Sequence, residues 1–189
     1  MSLFGKSAKE LVYDLIVSQN PGLADKGITI DKLQFATPSN VTAPDPDLEK
    51  YTRLNTTLAV TGIVDKGAFG KIGLTYRRLF MDHLFENVVI SVDGTGVTKA
   101  SELLPLIQAK YNLIIDPSEV YATESMTTPE KHNLRFNGSS LAWIGTLEVY
   151  LSEVPSDSVD ITKLITVTEL DGLTYDISDI TGAAARSAS

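Results

Sequence analysis

The sequence predicts an α+β fold, a mostly antiparallel β-sheet of hairpins with two or three helices packed on one face. Three observations predict it. Apolar residues recur at helical spacing near the N-terminus and again over 101–111. Residues 54–65 and 71–79 alternate apolar and polar on either side of a glycine-rich turn. Asn137-Gly138 and Asp171-Gly172 have the composition of tight hairpin turns. At 189 residues the chain makes one domain or two small ones. The expected organisation is an N-terminal helix or arm over 1–22, an α+β core over 23–154, and a C-terminal hairpin and tail over 155–189.

A helix is expected from Ser7 to Ser18. Ser7 and Glu10 have capping-box spacing, in which the hydroxyl takes the N3 amide and the carboxylate reaches back to the cap amide. Ala8, Leu11, Val12, Leu15 and Ile16 then share a face. That stripe must pack on a sheet or a neighbouring chain, because so short a helix is marginal alone in water. Asn20-Pro21-Gly22 ends it. Residues 28–36 read as a strand, and 37–47, with three prolines, as a loop. Asp45, Asp47 and Glu49 lack the glycine and ligand spacing of a calcium loop, so a solvated loop is the reading.

Over 54–65, Leu58 and Val60 share a face, with Gly62 and Val64 continuing it. Residues 66–70 make the turn, and Ile72, Leu74 and Tyr76 return along the second strand. This long hairpin is expected at the centre of the sheet. Residues 88–92 form a short apolar strand closed by Asp93-Gly94. In the helix of 101–111, Leu103, Leu104, Ile107 and Tyr111 line one face. Pro105 is expected late in the first turn, where proline is tolerated, and Asn112 is a left-handed C-cap. Asp116-Pro117 starts a further helical turn. Residues 133–151 read as two strands joined at Asn137-Gly138, with Trp143 on the face of Leu141, Leu147, Val149 and Leu151. Residues 164–177 form a last hairpin.

Composition removes several chemistries. With no cysteine, disulfides, thiolate zinc sites, iron–sulfur clusters and cysteine nucleophiles are excluded. A net charge of −8 argues against binding to nucleic acid or an anionic membrane, since a phosphate footprint needs a basic surface. The N-terminal segment has charges where a secretory signal needs an apolar core, and no run approaches membrane-spanning length. Glycosylation sequons at Asn40, Asn55 and Asn137 are therefore read as chance.

Few motifs suggest a reaction. Gly67, Gly70 and Lys71 lack phosphate-loop spacing and lead into a strand, so they are turn residues. Asp93-Gly94-Thr95-Gly96 reads as a strand-ending turn. Asp82-His83 could orient a base, but no serine or metal motif accompanies it, and His132 lies in a polar loop. No catalytic, cofactor-binding or metal-binding residue is assigned, and no cofactor is expected. Arg77 and Arg78 end the central strand. They read either as a paired guanidinium site for a carboxylate or, because adjacent strand residues face opposite sides, as one arginine inward in an ion pair and the other in solvent. The candidate interaction residues are Leu11, Leu15, Tyr76, Arg77, Arg78, Trp143 and, in the tail, Arg186.

Asn55-Thr56-Thr57-Leu58-Ala59-Val60, Gly67 and Gly70, and Leu74-Thr75-Tyr76-Arg77-Arg78-Leu79 form a pattern that continues in two later blocks. These are Ser101-Glu102-Leu103-Leu104-Pro105-Leu106-Ile107 with Tyr111-Asn112-Leu113, and Ser139-Ser140-Leu141-Ala142-Trp143-Ile144-Gly145. Over about residues 50–151 this resembles a poorly characterised family of structural (virion) proteins of large tailed bacteriophages. The resemblance implies a non-enzymatic virion component, a head decoration or minor capsid protein or a tail or baseplate part. It would act by multivalent contacts in a symmetric assembly, through the hairpin edge, the first helix and the tail. Its implied partners are other virion proteins and copies of itself, with no nucleic acid, membrane or small-molecule substrate. Its implied place is the virion, assembled in the host cytoplasm. The alternatives are a soluble phage-encoded enzyme, with a site near Asp82-His83 or Arg77, and a host-interaction module.

Overall fold

The structure is a computed structural model, and it describes residues 3–41 and 51–153. The chain divides into two units, Met1–Val154 and Pro155–Ser189. The expected hairpin of 164–177, the tail and residues 45–49 lie outside the described residues.

The α+β class is as the sequence predicts. In chain order come α1 (Ala8–Gln19), α2 (Gly22–Asp25), β1 (Leu33–Phe35), β2 (Ser39–Asn40), β3 (Thr56–Gly62) and β4 (Lys71–Tyr76). Then follow β5 (Leu79–Phe80), α3 (Met81–Leu84), β6 (Ile90–Asp93), α4 (Ala100–Tyr111), β7 (Glu130–Arg135), β8 (Trp143–Ile144) and β9 (Thr146–Ser152). In the first sheet, β3 is central: it pairs antiparallel with β4 on one side and with β1 and β2 on the other. The second sheet is the parallel pair β5–β8. The third has β9 between β6, parallel to it, and β7, antiparallel.

The helix ends follow local chemistry. Ser7 and Glu10 form the full capping box on α1, and Asn112 closes α4 in the left-handed region at φ 54°. Asp116 and Glu119 cap a single 3-10 turn rather than a longer helix. Pro105 is not in the first turn of α4 as expected. It is the sixth helical residue, and it sits on the exposed face, where water can serve the Ser101 carbonyl that its ring leaves unpaired.

Two apolar clusters organise the described chain. The larger gathers Leu103, Leu104 and Ile107 of α4 with Ile90 and Val92 of β6, Leu147, Val149 and Leu151 of β9, and Trp143. Each fully buried aliphatic side chain contributes about 1.5–3 kcal/mol relative to exposure. The smaller cluster packs Val12 of α1 against Leu33, Leu58, Val60 and Tyr76 of the first sheet. Helix α1 serves both, since Ala8 and Leu11 belong to the larger.

Strand extents differ from the alternation pattern. Within 28–36 only Leu33–Phe35 is strand, preceded by a 3-10 turn at Ile30–Lys32. Val64 does not continue the buried face of β3: the chain turns into a 3-10 turn at Val64–Lys66, and Val64 is 74% exposed. The turn needs its glycines, with Gly67 at φ 80° and Gly70 at φ 94°. A Cβ on Gly62 would lie 2.5 Å from the Phe69 main-chain nitrogen, so the returning chain crosses directly over it.

Asn137-Gly138 does not make a two-residue hairpin. The β7–β9 ladder ends at Arg135↔Thr146, and residues 136–145 leave it to form β8 against β5. Trp143 is therefore fully buried from β8, not from the β9 ladder. The local turn preference loses to longer-range bonds. The Asn137 side-chain amide donates to Ser118 O at 2.7 Å and Val120 O at 3.2 Å, which anchors this connection to the 3-10 turn.

Replacing Ile107 by alanine is expected to lower unfolding free energy by about 2–5 kcal/mol in urea titration, because the side chain is wholly enclosed. Ser7→Ala should cost about 1 kcal/mol by loss of the cap.

Candidate interaction surface

Of the paired arginines at the end of β4, Arg78 points inward and Arg77 outward. Arg78 is 2% exposed, but it makes no ion pair with any described residue, contrary to expectation. Neutral oxygens accept its hydrogen bonds instead. Nε donates to Thr56 Oγ1 (2.9 Å), one terminal nitrogen to Ser140 O (2.9 Å) and Gly138 O (3.3 Å), and the other to Asn40 Oδ1 (2.6 Å). Its main chain is held as well: Asn55 Oδ1 accepts from Arg78 N–H, and Asn55 Nδ2 donates to Arg78 O, both at 2.9 Å. The Asn55 side chain thus extends the β3–β4 ladder by imitating a strand residue. Burial lowers the Arg78 pKa, partly offset by nearby Tyr76, yet a guanidinium starts so high that it stays charged.

The three sequon asparagines all have structural work. Asn40 and Asn55 hold Arg78, and Asn137 anchors the connection whose next carbonyl, that of Gly138, Arg78 also binds. The sequence offered a signal only in the clustering of short polar residues, which does not say what they bind.

Most of the expected contact residues are interior. Leu11 is 5% exposed, Tyr76 7%, and Trp143 fully buried, while Leu11 and Tyr76, with Leu15 and Arg77, also line the groove between α1 and β4. The size and apolar character of Leu11, Tyr76 and Trp143 are what the two cores require. The Tyr76 hydroxyl donates to Leu141 O at 2.6 Å, and burial pushes its pKa up to about 12 against the opposing pull of Arg78. The Trp143 indole N–H is buried with no acceptor. Leu15 is half-buried beside the smaller core. Arg77 is exposed and donates to Tyr51 O at 3.1 Å. Arg186 lies outside the described residues.

Nor do the histidines face an acid in a cavity. His83 Nδ1 is 3.5 Å from Glu86, and its ring stacks on Tyr51 with centroids 4.0 Å apart. His132 Nε2 lies 2.7 Å from Thr127 O within a turn. Asp93 Oδ1 accepts from Thr95 N–H and hydroxyl, which makes 93–96 the expected turn.

Among the described residues, β4 presents an open strand edge. No described strand pairs with the outer side of β4. Gly62 N–H donates to Gly70 O, so Thr61 and Lys71, the next pair, are not mutually bonded. By the alternation of an antiparallel ladder, Ile72, Leu74 and Tyr76 direct their main-chain groups to β3, while Lys71, Gly73 and Thr75 direct theirs outward. Apolar side chains surround the edge: Ile72 is 61% exposed, and Phe69 and Val64 at the hairpin tip are 91% and 74% exposed. Between α1 and β4 runs a groove of about 750 Å³ lined by Leu11, Leu15, Ile16, Leu54, Leu74 and Leu79. A second of about 450 Å³ shares Ile16 and Leu74 and extends to Phe69 and Ile72.

Glu119 is buried, and desolvation, the largest effect on it, raises its pKa; bonds from Asp116 N–H and the Ser140 hydroxyl act in the opposite direction. Ser140 O is the acceptor of Arg78, so the 3-10 turn and the first sheet meet at one residue.

The fold and surface together define an α+β protein in which β4 is unpaired on its outer side by any described strand, with an apolar groove beside it. The chain belongs to a family of unknown function, DUF7941, whose match covers residues 1–185. No curated protein and no solved structure matches it. No described helix is long and apolar enough to cross a membrane.

Arg78→Ala should destabilise the fold by about 3 kcal/mol or more, since it strands several buried acceptors, whereas Arg77→Ala should stay within about 1 kcal/mol. Urea titration distinguishes them. A carboxyl with a raised folded pKa makes the native state bind more protons than the unfolded one. Glu119 therefore costs stability as pH climbs from its ordinary 4.5 towards the raised value. Subtracting the pH–stability curve of Glu119→Gln from that of the wild type should leave a downward slope in that window and none above it.

Proposed function

We propose that this protein is a non-enzymatic virion component of a large tailed bacteriophage, acting by repeated protein–protein contacts in a symmetric assembly. The observation that carries the reading is the open edge of β4 with exposed Ile72 and Phe69 beside it. Unpaired main-chain groups on a strand are a template for another chain, and exposed apolar side chains gain by being covered. The resemblance over residues 50–151 supplies the kind of assembly. The acidic balance suits a position away from packaged DNA. The positions of His83 and His132, outside the grooves described above, favour contact over chemistry.

Purified particles provide the test. The protein should co-purify with them at a fixed copy number and label at symmetry-related sites in electron micrographs. A protein found in the cleared lysate and absent from particles would sink the proposal.

A further inference from the structure

We infer that β4 pairs antiparallel with β4 of a second copy, about a two-fold axis through Gly73. The inference rests on reading β4 as an interaction edge and names the occupant of that edge. Four observations on the strand select it.

Hydrogen bonding comes first. Lys71, Gly73 and Thr75 hold the outward main-chain groups, as the β3–β4 register requires. An axis at Gly73 places Gly73 opposite Gly73 and Lys71 opposite Thr75 of the second copy. Every outward group then meets an outward group, and the two first sheets join into one.

Charge selects among the registers that keep this match. An axis at Leu74 would set Lys71 against Arg77 of the second copy, twice per dimer, and like charges directly opposite are destabilising. With the axis at Gly73, Lys71 faces the neutral Thr75. An axis at Ile72 would pair only 71–73 within the strand, whereas Gly73 engages 71–75.

Side chains fit the same axis. Ile72 and Leu74 lie on the α1 face, and Ile72 of each copy would sit opposite Leu74 of the other. A two-fold perpendicular to the sheet keeps both α1 faces on one side, so the exposed Ile72 becomes covered and the two grooves adjoin.

The axis is uncrowded on the face away from α1: Gly73 has no neighbouring atom within 4 Å of where a Cβ would stand.

The test combines mass with charge. Light scattering on the purified full chain should give twice 20.5 kDa, falling to one chain on dilution. Thr75→Lys sets lysine against Lys71 twice per dimer and should weaken association about tenfold. Adding Lys71→Glu to that variant should restore it, because each lysine then faces a glutamate. Both positions are exposed, so circular dichroism should show unchanged folding. Amide exchange should become concentration-dependent at Gly73 and Thr75, while Ile72, Leu74 and Tyr76 stay protected throughout. A single-chain mass at every concentration overturns the pairing, and a Thr75→Lys defect that Lys71→Glu fails to rescue overturns the register. The virion reading stands or falls separately, by particle content: a dimer absent from particles would sink that reading and leave this pairing intact.

Discussion

The buried guanidinium of Arg78 is the constraint on which the architecture turns. A charge inside a protein is costly unless its hydrogen bonds are satisfied, and this one is satisfied by main-chain, amide and hydroxyl oxygens rather than by a carboxylate. Those oxygens come from β2 and β3 of the first sheet and from the connection between β7 and β9, which lies outside that sheet. The first sheet is thus fastened to the body that contains the third. Leu141, packed against both apolar clusters, lies beside the same fastening. A carboxylate partner would have given a stronger single attraction, but it would have tied Arg78 to one place instead of three.

Local chemistry was legible in the sequence, and long-range pairing was not. The caps at Ser7, Asn112 and Asp116 could be read because each depends on residues within a turn of itself. The β3–β4 hairpin could be read for the same reason, as could the turn glycines. The departure of residues 136–145 could not. Asn137-Gly138 has the composition of a tight turn, and only the carbonyls of Ser118 and Val120, distant in sequence, redirect it. The parallel pairings of β6 with β9 and β5 with β8 are also distant and leave no local mark.

The interaction surface was half legible. Adjacency showed that one of Arg77 and Arg78 must face inward, but not which, nor that neutral oxygens would receive it. Large apolar residues drew attention to Leu11, Tyr76 and Trp143, which the cores enclose. Ile72 shows the same alternation as Leu58 and Val60 and yet lies open, because α1 does not extend over it. A periodic pattern marks a face that is able to be buried; which part of it a neighbour covers depends on the tertiary placement of the helix.

Gly145 lies between β8 and β9 at φ 85°, with Asp82 occupying the space where a side chain would begin. On one side of it the chain is bonded into the second sheet, and on the other into the third. A single residue separates the two ladders, so neither can be pulled open without loading the other. Mechanical tension entering through β5 would reach the strand at the heart of the larger core with almost no slack to absorb it, making the two sheets a single cooperative element under force.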